Sequence, residues 1–313
     1  MRAIVIDRFG GPEVLRAAQV EPPRPGPGEV LVRVVAAGVS RADLAVREGC
    51  VPPGCETRLP LVPGWQGAGS VEDPGTGSSG RYRKGDRVWV CARRPLVHRG
   101  TYAELVAVPE TALSPMPAKL LFEEAAVVPL AGLAAYQALF DGGGALAGDP
   151  VLVLGGAGGV GHLALQMARQ AGATVLATAR PEAFGFVLER GASGVIDARR
   201  EPVGEAARRL APDGVGLVLD AVGGEVAAQA LAAVRPGGRL VSLAPDAPQP
   251  AAGVTVDELL VEPDATILRR LAEWVDARTL RPEVQRIFPL AQATEAHRAL
   301  EAGGVRGALV LNL

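Results

Sequence analysis

DPVLVLGGAGGVGHLALQMARQAGATVLATAR, residues 149–180, reads as strand, glycine loop, helix and second strand. Residues 151–154 are a short apolar run containing β-branched side chains, of the kind that fills a parallel strand buried on both faces. Gly156, Gly158 and Gly161 follow at once in the spacing G-x-G-x-x-G. In that pattern the first glycines permit a tight turn and close backbone approach to a pyrophosphate, and the last lets helix pack on strand. From Gly161, the apolar residues Leu163, Leu165, Met167, Ala168 and Ala171 fall close to helical spacing, and Gly172 ends the helix. The free N–H groups and positive dipole end of such a helix suit phosphate oxygens. With 40 glycines in the chain a bare triplet carries little weight; the flanking strands and helix make it the phosphate loop of a dinucleotide-binding unit.

The second strand, residues 174–179, ends where such a unit needs a group for the adenosine ribose, roughly 20 residues past the loop. A carboxylate there accepts from the ribose 2′-OH and favours NAD. This strand runs instead into Thr178, Ala179 and Arg180. An arginine suits a 2′-phosphate, so the expected cofactor is NADPH; the alternative reading of Arg180 is a solvated side chain at a strand end.

Length and composition set outer limits. A chain of 313 residues is longer than one typical core serves, so two domains are expected. The net charge of −2 and the lack of a basic run give no reason to expect nucleic acid. No 18-residue apolar span is present, and MRAIVIDRFG begins with strand-like alternation where a signal peptide would carry its charged and apolar regions. No membrane partner and a cytoplasmic location are therefore expected. Cys50, Cys55 and Cys91 lack the paired short spacings of a structural zinc site, so reduced, non-catalytic thiols are expected. Lys84 and Lys119 are the only lysines and Asn312 the only asparagine, a skew that fits a thermophile or a GC-rich genome.

Along the chain, the first 115 residues have short strand-like runs (30–36, 69–72, 87–91, 102–108) separated by PPRPGPGE, PPGCETRLP and DPGTGSSG. A small, mostly β, partly open barrel is expected there. From Phe122 the texture turns to alanine-rich helix, then to strands near Val151, Thr174, Val195, Gly216 and Arg239 alternating with helices, which predicts a doubly wound parallel sheet. The tail holds an amphipathic helix (ILRRLAEWVDARTL), a strand (RIFPL), a helix (ATEAHRALEAG) and a last strand (ALVLNL). A lone terminal strand needs a partner, so it is expected to return to the N-terminal β domain. The predicted organisation is α/β: a catalytic domain of residues 1–121 and 263–313, and a Rossmann domain of residues 122–262, with the cofactor in a cleft between them.

The motifs AAGVSRADLAVREG (36–49), LPLVPGWQGAGSV (59–71), KGDRV (84–88), GTYAELVAVP (100–109), LLFEEAAVVPLAGLAAYQAL (120–139), LERGASGVIDARR (188–200), LVLDAVGG (217–224), VRPGGRLVSLA (234–244) and IFPLAQATEAHRALEAGGVRGALVL (287–311) occur in order around the glycine loop. Together they make the chain resemble, over nearly its whole length, a zinc-independent medium-chain dehydrogenase/reductase of the quinone oxidoreductase type. The resemblance implies that the N-terminal domain is GroES-like. It also bears on metal: zinc alcohol dehydrogenases of the superfamily carry cysteine where Ser40 stands and a His-Glu pair where Trp65 and Gln66 stand. None of these three residue types is a usual zinc ligand, and His98, His162 and His297 are scattered, so no metal is expected.

Without zinc, the chemistry needs a substrate that accepts hydride with modest help. Quinones and α,β-unsaturated carbonyls qualify, because the incoming charge spreads onto an oxygen that needs only a hydrogen-bond donor. Ser40, Trp65 and Tyr136 are the candidate catalytic residues, with Tyr102 a further tyrosine by residue type; both tyrosines are also readable as packing residues. Asp43 is read as holding its loop. The cofactor is expected on the Gly156, Gly158, Gly159, Val160 and Gly161 backbone, with Arg180, Val222, Gly223 and Leu243 around it. Relative to the family pattern, Ser40 replaces a frequent asparagine, Gln66 an acidic residue, Ala134 a threonine, Ala198 a tyrosine and Ala308 a lysine. These changes thin the polar contacts and keep open a second reading, an NADPH-binding sensor or partner protein with little turnover. The resemblance further implies a homodimer, with VTVDELLV (254–261) as the edge that extends the sheet.

Overall fold

The computed structural model describes residues 1–51, 54–77, 79–141 and 148–313. Pro52, Pro53 and Ser78, which belong to the proline- and glycine-rich stretches noted above, lie outside the described residues. The chain divides into two compact units, one of Met1–Leu133, Glu262–Arg278 and Pro282–Leu313, the other of Ala134–Val261 with Thr279–Arg281. The expected boundary at 121/122 falls before this division, because the short helix Phe122–Ala125 packs on the strands Glu29–Val39 and Gln66–Asp73 of the first unit.

The second unit is built on a six-stranded parallel sheet in the order Gly194–Ile196, Thr174–Thr178, Pro150–Leu154, Val215–Asp220, Val234–Ser242, Thr255–Glu258. Numbered along the chain this is the 3-2-1-4-5-6 order of a doubly wound dinucleotide fold. The two runs read as the central strands are buried from end to end, Val151 to Leu154 at 0% exposure, as a strand covered on both faces requires. Leu152, Leu154, Val218 and Leu240 meet Val203, Ala207, Ala227 and Ala230 from the crossover helices in one apolar layer. Among the described residues Thr255–Glu258 ends the sheet and pairs on one side only, with Val234–Ser242.

At the reversal of strand order the chain turns through Gly155, whose φ of +77° suits glycine. The turn closes by a Gly158 N to Gly155 O bond of 3.0 Å, so it starts one residue before the G-x-G-x-x-G pattern and has Gly156 within it. Gly161 has a different role: a Cβ there would lie 2.1 Å from the Gly155 carbonyl oxygen, so the helix Gly161–Gln170 starts in backbone contact with the loop. His162 pins the same loop. Its backbone N–H and its Nδ1 both donate to the Gly158 carbonyl, at 3.0 and 2.9 Å, and its ring is buried.

In the first unit, a seven-stranded sheet runs Val284–Pro289, Ala308–Asn312, Glu29–Val39, Gln66–Asp73, Arg87–Cys91, Leu113–Pro115, and Leu105–Pro109 also pairs with Glu29–Val39. The terminal strand does return: Leu309 to Asn312 pair antiparallel with Val39 to Ala36. Two segments outside the strand-like runs read from the sequence pair as a two-stranded parallel ribbon, Glu56–Val62 with Leu96–Arg99.

A buried polar chain fastens the C-terminal helix Ala293–Ala302 to this unit. Arg47, 1% exposed, donates from one guanidinium nitrogen to His297 Nδ1 at 3.3 Å and from another to Glu301 at 2.6 Å, and it also pairs with Glu48. A guanidinium only donates, so Nδ1 accepts and the neutral ring carries its proton on Nε2, 3.1 Å from the Tyr102 hydroxyl. Burial, with the Arg47 charge beside it, pushes His297 down to about 3; burial pushes His162 down to about 4.

Two stability predictions follow from this packing. Gly161→Ala should lower the stability measured by urea unfolding by ~1–3 kcal/mol, because backbone must move to admit the methyl. Gly158→Ala, whose Cβ would sit 3.4 Å from Gly155 oxygen, should leave it nearly unchanged. The two histidines stay neutral in the folded chain and take up protons near pH 6.5 once unfolded. Their contribution is therefore present at neutral pH and lost as pH falls, by about 2 kcal/mol for each between pH 6.5 and 5. His297→Gln should remove its share of that acid slope; an unchanged slope would show that His297 is protonated in the folded chain.

Candidate functional site

The carboxyl ends of the central parallel strands lie side by side. Leu154 is in register with Asp220, and Asp220 with Ser242. The segments that continue from these ends are the glycine loop, the turn at Ala221 to Gly224 and Leu243. Asp220, fully buried, organises the turn: one carboxylate oxygen accepts from Val222 N at 2.9 Å and Gly223 N at 2.8 Å, the other from Ser242 Oγ at 2.7 Å. Leu243 N donates to the Asp220 carbonyl at 2.9 Å. Val222, an apolar side chain left 48% exposed, thus stands on a rigid turn beside the order reversal. Open α/β sheets bind ligands in that crevice.

Gly159, Val160 and Gly161 donate no backbone hydrogen bond among the described residues. Three amides at the start of a ten-residue helix are left for an acceptor. The second strand is tied to the loop by Gly155 N to Thr178 Oγ1 and Gly156 N to Thr178 O, both 2.9 Å. Beyond it, Arg180 is exposed and its side chain has no hydrogen bond or ion pair among the described residues. Ala179 N donates to Ile196 O, which sets the end of that strand beside Asp197, Arg199 and Arg200. Asp197 bonds both arginines, at 3.3 and 3.4 Å, while their side chains stay more than half exposed. The sequence reading of the loop, Arg180, Val222, Gly223 and Leu243 therefore falls along one rim of the sheet. Asp220 and the 197–200 turn were missed, although an acid at a strand end before a glycine pair, in LVLDAVGG, was a readable signal.

In the first unit, Ser40 follows the strand Glu29–Val39 and opens the helix Arg41–Glu48. Its N–H and its hydroxyl both donate to Asp43 Oδ2, at 2.8 and 2.6 Å. The hydroxyl expected to face a ligand is thus directed at a carboxylate. Asp43 is wholly buried and Oδ1 has no hydrogen-bond partner among the described residues. Burial pushes its carboxyl up to about 6, against the opposing pull of Ser40 and of the nearby Trp65 and Gly64 amides.

Gln66, buried at 2%, uses its side-chain oxygen to accept from Leu130 N at 3.0 Å and Ala131 N at 3.4 Å, the first amides of the helix Pro129–Tyr136. A neutral amide serves as a cap there. Trp65 is 4% exposed. Tyr102, fully buried against His297, has its hydroxyl pushed well above its ordinary range by burial, which does not suit a proton donor to a ligand. Tyr136 is 9% exposed and packs on Phe140 with ring centroids 4.8 Å apart. Arg93 was also overlooked; its buried guanidinium pairs with Glu262 at 3.0 Å and approaches Cys55 Sγ at 3.8 Å. Cys91 is buried, which pushes its thiol up to about 12 and leaves it unreactive.

The superfamily's zinc finds no fitting donor set at these positions. Ser40 is engaged by Asp43, Gln66 caps a helix, and an indole is not a ligand. Among the described residues no three His, Cys, Asp or Glu side chains come together as metal ligands.

A family model described as alcohol dehydrogenase GroES-like domain matches residues 26–118, and one described as zinc-binding dehydrogenase matches residues 190–311. The chain is 37% identical over 248 residues to the synaptic vesicle membrane protein VAT-1 homolog of Rattus norvegicus, covering 77% of this chain and 59% of that protein. It thus spans less than two thirds of that relative's length. It is 34% identical over 325 residues to the quinone oxidoreductase of Pseudomonas aeruginosa, covering 97% of both. The structure of Escherichia coli quinone oxidoreductase complexed with NADPH superposes at a TM-score of 0.90 with 26% identity over 100% of both chains. With this fold and these relatives, the chain belongs to the medium-chain dehydrogenase/reductase superfamily and, within it, to the quinone oxidoreductase type.

Proposed function

We propose that this protein is an NADPH-dependent oxidoreductase that transfers hydride to a quinone or an α,β-unsaturated carbonyl without a metal. The observation that carries the reading is the rim of the parallel sheet: three free amides at a helix N-terminus, and an unpaired, exposed Arg180 at the end of the next strand. The amides of Gly159, Val160 and Gly161 would hold the pyrophosphate. Arg180, with Arg199 and Arg200 beside it, would meet the 2′-phosphate. Asp220 holds Val222 and Gly223 as the apolar wall. The NADPH of the Escherichia coli relative supports the cofactor.

NADPH would supply a hydride, and this chain would orient the acceptor and keep water out. Conjugated carbonyls suit a site whose zinc positions hold Ser40, Trp65 and Gln66, since their developing oxyanion needs one donor and no Lewis acid. A homodimer through the free edge of Thr255–Glu258 completes the proposal. The second reading, an NADPH-binding protein with little turnover, draws on the Ser40 hydroxyl being engaged by Asp43.

Steady-state NADPH oxidation with a panel of quinones and enones separates the two. Turnover with at least one acceptor class is expected, whereas tight NADPH binding with no oxidation across the panel would leave the binding protein. Arg180→Ala should raise the Kd for NADPH roughly 10- to 100-fold, the worth of a charge-assisted hydrogen bond, and leave NADH nearly unchanged. Equal losses for both cofactors, measured by fluorescence titration, would remove the phosphate role.

A further inference from the structure

Resting on the cofactor reading above, we propose that His162 is a positioning residue for NADPH: it locks the Gly158–Gly159 peptide so that the loop shows the pyrophosphate an N–H and not a carbonyl. Both residues joined by this peptide are glycines, the residue with the freest backbone, so the torsions on either side of it are the softest in the loop. A peptide plane that turns over exchanges its C=O with its N–H. In a loop that receives an anion, the exchange puts a partial negative charge where a donor stood. The sign of the loop therefore rests on what holds this plane.

His162 holds it. The ring is fully buried, and Nδ1 lies 2.9 Å from the Gly158 carbonyl oxygen, which also accepts the His162 backbone N–H at 3.0 Å. A carbonyl only accepts, so Nδ1 carries the proton of the neutral ring. The peptide is trans, and its N–H stands opposite its C=O. With the carbonyl drawn toward the buried imidazole, the Gly159 N–H points away from it and meets no acceptor among the described residues. Turning the plane over would take the carbonyl from a buried imidazole donor, which is costly. Any residue at position 162 would supply the backbone bond; the side-chain bond makes the lock a property of this sequence.

The stretches on either side are anchored by other means. Gly156 N donates to Thr178 O at 2.9 Å and Gly158 N to Gly155 O at 3.0 Å, while the Val160 carbonyl accepts from Leu163 N at 3.2 Å and Ala164 N at 2.9 Å as the helix begins. The Gly158–Gly159 plane lies between them. The Phe186 ring stands beside the imidazole, with centroids 6.3 Å apart, and limits its movement. All of these groups belong to the second unit. The lock acts on the pyrophosphate, which NADPH and NADH share, whereas Arg180 would act on the 2′-phosphate that only NADPH carries.

The test measures the Kd of NADPH, NADH and ADP-ribose by calorimetry for the wild type, His162→Asn and His162→Leu, together with the amide ¹H and ¹⁵N shifts of Gly159 on titration with ADP-ribose. Asn carries its Nδ2 donor where the imidazole has Nδ1; Leu fills similar space with no donor. His162→Leu should weaken all three ligands alike, by roughly 2- to 10-fold, the worth of one hydrogen bond. His162→Asn should stay close to the wild type. The Gly159 amide proton should move downfield on binding in the wild type and in His162→Asn, and less in His162→Leu. Unchanged affinities in His162→Leu, a loss confined to NADPH, equal losses in both variants, or no downfield shift of Gly159 in the wild type would overturn the lock and leave the cofactor reading intact. Should His162→Leu fail to fold, the wild-type Gly159 shift and the affinities of His162→Asn decide alone. A wild type that binds none of the three ligands would overturn both.

Discussion

The helix that follows the first parallel strand starts so near the preceding turn that position 161 has no room for a Cβ. That single approach sets the polarity of the second unit. It brings a helix N-terminus to the place where strand order reverses, with unpaired amides pointing out of a sheet whose strands are otherwise sealed in apolar side chains. His162 and Thr178 hold the loop from its two sides through hydrogen bonds to Gly158, Gly155 and Gly156. Buried carbonyls and amides need partners, so each of these bonds also keeps the loop in one conformation. A rigid, positively polarised rim is the result, and anions are what it suits.

The first unit solves a different problem, that of polar groups at positions where related enzymes carry metal ligands. Ser40 and Gln66 are both committed to the chain itself, one to Asp43 and one to the amides of Leu130 and Ala131. Gln66 is complete: its oxygen is shared by two donors. Asp43 is less well served: it is buried, and among the described residues Oδ1 meets only the nearby Trp65 and Gly64 amides, without a close hydrogen bond, so its ionised form is costly. The buried Arg47–His297–Tyr102 chain shows the contrasting case, in which a buried charge is matched by two glutamates and its neighbours remain neutral. Two buried polar clusters thus stand at opposite ends of one short helix, Arg41–Glu48.

Much of the fold was legible along the chain. Parallel strands buried on both faces leave continuous apolar runs, so residues 151–154 and 217–220 announced themselves, and the glycine spacing located the phosphate loop between strand and helix. The return of the terminal strand to Glu29–Val39 was legible for a simpler reason, that an apolar strand requires a partner. The ribbon of Glu56–Val62 with Leu96–Arg99 was not, because its strands are short, half exposed and far apart in sequence, and neither alternates cleanly.

The sequence by itself determined the class of fold, the position of the nucleotide loop and the residue types available for chemistry, since these follow from local periodicity and from what each side chain is able to do. Only the tertiary structure decided how those side chains are used. Tyr102 and Tyr136 look alike as phenols, yet one is locked against His297 and the other packs on Phe140. Gly155, outside the motif, is the residue of the turn that takes the positive φ. Ser40 directs its hydroxyl at Asp43, while the Arg180 side chain keeps its donors free among the described residues. Hydrogen bonding and burial are properties of neighbours brought together from distant parts of the chain, and no local pattern encodes which neighbour a donor will meet.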